Sequence, residues 1–177
     1  MLDRAIVPTV QMSASIEGPW IGMDPVRLGR IAAGPGAPAC YVTVDSERGP
    51  LLRIDLYTSS DEVFAFQEAH VWSQFLVIGW GHGVYLVDLR SREIVHIDLG
   101  CYFGHAYPAA ECLLVASAER LFRIEPDGSV KWRSEPLGID GVVVHDVSES
   151  LIEGDGEWDP PGGWRPFRIL AGSGTSA

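Results

Sequence analysis

The chain repeats a pattern of short apolar segments with a period near 37 residues. One copy opens at Phe75–Gly79 and the next opens at Cys112–Ala116, 37 residues later. In each copy a second apolar run follows at the same offset, over 84–89 and 121–126. A fixed period of roughly 20–50 residues is the signature of repeat architectures, in which each unit buries its apolar face against a neighbour. The fold is therefore expected to be a stack of similar units.

The same frame extends in both directions. An upstream copy begins at Cys40, 35 residues before Phe75, and a downstream copy begins at Leu151, 39 residues after Cys112. We predict a single domain over 1–177. Its predicted parts are an N-terminal strand with a connecting segment and four repeats, the last of them truncated: 1–37, 38–74, 75–111, 112–150 and 151–170.

The segments inside each unit read as strands. They are short and rich in β-branched and aromatic residues, and turn residues separate them, as in Asp127–Ser129. The 20 Gly and 12 Pro suit many short strands joined by turns. Val63–Phe66 is one predicted strand, and the sequence predicts an all-β fold. Asp24–Ile31 is the one helix prediction, with Asp24 as its N-cap and Pro25 in its first turn.

The repeat resembles the blades of β-propellers. Leu121–Trp132, with the sequence LFRIEPDGSVKW, is similar to quinoprotein-type and WD-type repeats. The resemblance implies a small propeller-like array of about four antiparallel blades. Two ways of completing such an array are open: the N-terminal strand around Ile6–Ile16 completes the truncated last blade, or the chain dimerises, because an exposed strand edge tends to pair.

The charge of the chain restricts its partners. With 13 Lys and Arg against 24 Asp and Glu, the net charge is −11. A chain this acidic, with no Lys/Arg cluster, has no electrostatic basis for binding nucleic acid or an anionic membrane. The three cysteines lack metal-type spacing and the N-terminus has no signal-peptide pattern, so we expect reduced thiols and a cytoplasmic protein.

Three histidines take the same place in successive repeats. His70, His105 and His145 each lie in the short strand that precedes the next copy. If these strands were innermost, the three imidazoles would converge as a His₃ metal site requires. The alternative is that each histidine makes a separate structural hydrogen bond.

A second group of candidates lies in turns. The segment Glu153–Pro166 interrupts the repeat with acids, Trp, Pro and Gly, and is predicted to be a long irregular loop. Two interpretations are open: the loop binds a partner, or Trp158 and Trp164 pack on the strands below it. Its acids Asp155, Glu157 and Asp159 alternate as in part of a Ca²⁺ loop. Trp80 and His82 flank a predicted hairpin turn whose tip would meet a partner. The predicted binding residues are Trp80, His82, Asp155, Glu157, Trp158, Trp164 and Arg165.

These observations favour a non-enzymatic module that binds a protein or peptide with a basic surface, for example an acidic inhibitor or immunity-type protein. No nucleophile elbow, phosphate loop or dinucleotide fingerprint occurs in the sequence, and no cofactor is expected. Two alternatives stay open. One is a metal-dependent enzyme with the histidine cluster at the blade axis, and the other is a structural subunit that completes a larger propeller.

Overall fold

A computed structural model describes residues 8–30, 36–58 and 66–177, and these form an all-β fold. A 3₁₀ turn at Gly18–Gly22 is the one helical element in the described residues. The first sheet contains β1 (Thr9–Ser13), β2 (Val26–Gly29), β3 (Cys40–Ser46) and β4 (Gly49–Tyr57). The second sheet contains β5 (Glu68–Trp72), β6 (Phe75–Trp80), β7 (Gly83–Asp88) and β8 (Ile94–Asp98).

Two further sheets follow in chain order. The third contains β9 (Phe103–Pro108), β10 (Leu113–Ser117), β11 (Leu121–Ile124) and β12 (Val130–Arg133). The fourth contains β13 (Gly141–Val147), β14 (Leu151–Glu157) and β15 (Trp164–Leu170). Neighbouring strands are antiparallel, except that β2 runs parallel to β4. The edge strands β1, β5, β9 and β13 pack against one another in series.

The sheets are held together by three hydrophobic cores in chain order. The first core joins Val42 and Ile54 of the first sheet to Leu76 of the second. The next joins the second sheet to the third, and the last packs Leu114 of the third sheet against Ile152 of the fourth. Each large aliphatic side chain buried in this way contributes about 1.5–3 kcal/mol. Among the described residues, no such core joins the fourth sheet to the first.

The sheet boundaries differ by one strand from the predicted repeats. Each of the later sheets takes its edge strand from the end of the preceding repeat: β5 lies in 38–74, β9 in 75–111 and β13 in 112–150. The N-terminal segment contributes two strands to the first sheet. The predicted strand Val63–Phe66 falls largely on residues 63–65, which lie outside the described residues.

Two predictions about the N-terminal part were wrong. Residues Val26–Gly29 form β2 and not a helix, because Val26 and Leu28 alternate with exposed Arg27 and pair with β4. The N-terminal strand does not complete the last sheet. It joins the first, where β1 pairs with β3 from Thr9↔Asp45 to Ser13↔Tyr41.

The predicted loop over 153–166 is also corrected, since most of it is strand. Glu153, Asp155 and Glu157 alternate with Gly154 and Gly156, which is the period of a β-strand. The two glycines are buried because other backbone lies against them. A Cβ on Gly156 would come within 1.7 Å of the Leu137 carbonyl oxygen. The irregular part is limited to 158–163.

Candidate functional site

The outer face of the fourth sheet carries a stripe of acids. Along β14, Ile152 and the two glycines point into the core, so the other side chains point away from the third sheet. We call this surface the acidic face. It is formed by Val143, His145, Asp146, Leu151, Glu153, Asp155, Glu157, Trp164, Pro166, Arg168 and Leu170.

One hydrogen bond and one ion pair cross the acidic face. The His145 Nε2 atom lies 2.7 Å from Asp155 Oδ2, and a β-bulge beside His145 brings the ring over the sheet. The Arg168 Nε atom lies 2.5 Å from Glu153 Oε1 on the neighbouring strand. The His145 and Arg168 side chains remain 56% and 64% exposed. Four carboxylates therefore face one guanidinium and one imidazole, and the face is acidic at neutral pH.

Trp164 closes one end of the acidic face. Its position in the register is opposite Glu157, which in turn pairs with Gly141. The indole reaches across β14 and lies against Gly141, where a Cβ would come within 2.9 Å of its ring. The Gly162 backbone N–H donates to Glu157 Oε1 at 2.6 Å, which fixes the carboxylate beside the indole. Trp164 is still 44% exposed.

A small cavity, which we call the edge cavity, lies where β13 meets β9. Its volume is about 120 Å³. Its lining includes four aromatic rings and two carboxylates: Phe66, Tyr102, His105, Asp140, Glu157 and Trp164. The cavity thus brings together three residues singled out from the sequence, His105, Glu157 and Trp164. It shares the last two with the acidic face.

Tyr102 ties the edge cavity to the turn before β13. Its hydroxyl donates to Asp140 Oδ1 at 2.8 Å and also reaches the Asp140 carbonyl oxygen. Burial raises the pKa of Tyr102 far above its usual value, and the hydrogen bond and charge of Asp140 raise it further, with smaller effects from Cys101 and Glu157. The phenol is therefore neutral at physiological pH and stands in a field of negative charge.

The remaining predicted loop residues lie off the acidic face. Trp158 begins the turn after β14, is half-buried, and donates its backbone N–H to the Gly163 carbonyl. Arg165 pairs with Gly156, so its side chain belongs to the opposite side of the sheet. Asp159 lies in the same turn as Trp158. Asp155 and Glu157 lie on β14, so the three alternating acids do not belong to one loop, as the comparison with a calcium loop had predicted.

Trp80 and His82 lie at a different place, between the first and second sheets. Trp80 is only 5% exposed, and its indole N–H donates to the Tyr57 carbonyl at 3.0 Å. Trp80 therefore connects two sheets. The prediction that its ring lies at the hairpin tip was wrong. His82 lines a cleft of about 490 Å³ that it shares with Arg27 and His96.

The three repeat-related histidines take equivalent edge strands, as the repeat predicts, but they have different surroundings. His70 on β5 is partly buried; burial lowers its pKa, although the Glu68 charge opposes this. His105 on β9 lies 4.0 Å from Glu68 and 4.8 Å, between ring centroids, from Phe66. His145 pairs with Asp155. Over residues 8–30, 36–58 and 66–177, no three His, Cys, Asp or Glu side chains are grouped to hold a metal ion, so the alternative in which the three imidazoles converge is not seen there.

Sequence reasoning missed several residues of the site. Glu153 and Arg168 follow from the strand alternation once 151–157 is read as a strand. Phe66, Tyr102 and Asp140 carry no local signal, because long-range packing alone brings them together.

Comparisons with known proteins assign no family to the chain. No protein-family model matches the chain, and no curated protein matches it. In the part of the chain that the structure describes, no helix has the length and apolar character needed to cross a bilayer.

Proposed function

We propose that the protein is a non-enzymatic binding module that docks a protein partner with a basic surface on its acidic face. The proposal rests on charge and position together. Four carboxylates lie on two adjacent strands, β13 and β14. Apolar side chains, Trp164 and Leu170, stand at the two ends of the neighbouring strand β15 and are 44% and 42% exposed. Such a mixture of aromatic anchor and complementary charge is typical of protein interfaces.

The observation that carries the proposal is a comparison of the third and fourth sheets. In β10 and just before it, Cys112, Leu114 and Ala116 point to the next sheet and are buried. The residues 39 positions later are Leu151, Glu153 and Asp155. Where the third sheet has apolar side chains that pack against the next sheet, the fourth sheet therefore has mostly carboxylates, which favour contact with a basic surface.

Arg168 gives the same comparison from the neighbouring strand. Arg123 pairs with Leu114 in the third sheet, and Arg168 pairs with Glu153 in the fourth. The Arg123 guanidinium is covered by the next sheet, since its Nη1 donates to the Ala171 carbonyl at 2.9 Å. Among residues 8–30, 36–58 and 66–177, no sheet covers Arg168, which reaches sideways to Glu153. A docked partner would lie on the outer face of the fourth sheet, just as the fourth sheet lies on the third.

The same residues argue against a subunit of a larger propeller. We infer that the four sheets form an open propeller-like array, supported by the serial packing of their edge strands. A further blade of the same kind would bury Glu153, Asp155 and Glu157 in an apolar core, and each uncompensated buried carboxylate costs several kcal/mol. Polar outer faces are what terminal units of repeat proteins need for solubility.

Site-specific crosslinking tests the proposal. A photoreactive residue replaces Leu170 on the acidic face or, as a matched control, Val130 on β12, which is 43% exposed. We expect a protein adduct from position 170 and none from position 130. The purified adduct partner should then bind the unmodified chain with an affinity that falls as salt is raised from about 0.05 to 0.5 M. Adducts from position 130 only, or an affinity independent of salt, would contradict the proposal.

A further inference from the structure

The edge cavity has the size of one side chain. A cavity of about 150 Å³ is known to admit a benzene-sized molecule, so the edge cavity, at about 120 Å³, admits an aliphatic chain with a small polar end. Trp164 and Glu157 line it and also belong to the acidic face. A partner on that face therefore contacts two of the residues that form the cavity wall.

Aromatic rings form much of the cavity wall. The Phe66 and His105 rings are 4.8 Å apart between centroids and tilted by 47°. Tyr102 and Trp164 contribute two more rings. Phe66 and Trp164 are 47% and 44% exposed, so both rings are accessible to a side chain that approaches from solvent. Faces of such rings attract cations through their quadrupole.

Negative charge lies at the same cavity. Glu157 and Asp140 both line it, and Gly162 and Tyr102 hold their carboxylates in place by hydrogen bonds. No Lys or Arg of the described chain lines the cavity. The raised pKa of Tyr102 reports the same field, because the charges of Asp140 and Glu157 both contribute to it after burial. Aromatic walls with carboxylates suit a cation carried on an apolar stem.

We propose that the edge cavity receives one lysine or arginine side chain of the basic partner. The alkyl stem would pack on Phe66 and Trp164, and the cationic end would meet the Glu157 and Asp140 carboxylates. This inference rests on the proposed function, since it assigns to the docked surface a specific anchor. A buried basic anchor next to an aromatic ring is a common form of interface hot spot.

The test uses n-butylammonium as a lysine side-chain probe and n-butanol, of the same chain length, as its neutral control. In ¹H–¹⁵N spectra of the whole protein, we expect n-butylammonium to shift the signals of Gly104, Gly141 and the Trp164 indole. The same concentration of n-butanol should leave them nearly unchanged. Glu157→Gln should weaken n-butylammonium binding by at least about threefold. Glu149→Gln, at an exposed acid outside the cavity, is the matched control and should not.

Equal shifts with the two probes, or no effect of Glu157→Gln, would overturn the cavity assignment. If Glu157→Gln perturbs the fold, Phe66→Leu supplies a second variant with the same expected loss. The experiment needs no partner, so its failure is separate from that of the proposed function. A negative result here would leave the proposed docking on the acidic face untouched. Conversely, a partner that does not bind the acidic face would leave the binding of n-butylammonium in the cavity untouched.

Discussion

The two ends of the four-sheet array are built differently. At the first sheet, the chain's own 3₁₀ segment covers a polar outer face. The Arg53 guanidinium donates to Asp55 through Nε and Nη2, at 2.7 and 3.0 Å, and through Nη1 to the Trp20 carbonyl at 3.0 Å. Asp55 is only 3% exposed. At the fourth sheet, the corresponding arginine–carboxylate pair, Arg168 and Glu153, lies open to solvent.

The difference shows two ways in which the outer sheets of a series can satisfy their polar groups. Each middle sheet is apolar on both faces, and β6 is buried along its whole length. The end sheets must be polar on one face, because exposed apolar faces lead to aggregation. The first end satisfies its polar groups within the chain. The last end leaves them available, which is why we place the docking surface there.

The largest effect is expected at the covered end. Arg53→Met leaves the Asp55 carboxylate buried without its partner and releases the 3₁₀ segment, so we expect a loss of about 3 kcal/mol in the free energy of unfolding. Urea denaturation followed by tryptophan fluorescence measures it. A loss below about 1 kcal/mol would mean that the first end is no more tightly closed than the last.

The inner side of the fourth sheet should be almost as sensitive. Gly156→Ala places a Cβ against the Leu137 carbonyl, and the backbone must move, so we expect about 2 kcal/mol of destabilisation. Gly172→Ala is the matched control, since a Cβ there meets nothing within 4 Å. If both variants were equally stable, β14 would not be fixed by close backbone contact.

His70 and His145 take equivalent positions in the second and fourth sheets. Their variants therefore compare the pH dependence of stability at an inner sheet with that at the last sheet. Burial lowers the pKa of His70 in the folded protein below its ordinary value of 6.5. The unfolded chain therefore binds a proton more readily, and stability is lost as the pH falls through about 6.5. We expect His70→Gln to reduce the drop in unfolding free energy between pH 7.5 and 5.5. A larger reduction in His145→Gln would contradict this assignment.

The smallest effect on stability is expected at the open end. Arg168→Met removes an exposed ion pair with Glu153, and such pairs contribute about 0.5 kcal/mol. Urea denaturation of Arg168→Met and Arg53→Met in the same experiment compares the two losses in the free energy of unfolding directly. A loss above about 2 kcal/mol for Arg168→Met would show that the acidic face is a structural element of the fold and not a free surface.

The strands formed by continuous apolar runs could be predicted from the sequence, since Phe75–Trp80 and Leu113–Ser117 indicate β-structure by residue type alone. The prediction failed where glycine replaced the apolar partner. In 153–157 the alternation is acid and glycine, so the strand resembled a loop. The strand β2 was mistaken for a helix because Asp24 and Pro25 resemble the start of a helix. The edge cavity was not predictable, because Phe66, Asp140 and Trp164 meet only through the packing of separate sheets.

The central claim is that the acidic face binds a basic partner, and charge reversal tests it most directly. Isothermal titration compares Glu153→Lys/Asp155→Lys with Glu93→Lys/Glu135→Lys, which makes the same charge change at exposed sites just before β8 and just after β12. For the partner found by crosslinking, we predict at least about tenfold weaker binding in the first variant and little change in the second. Equal affinities in the two variants would contradict the account.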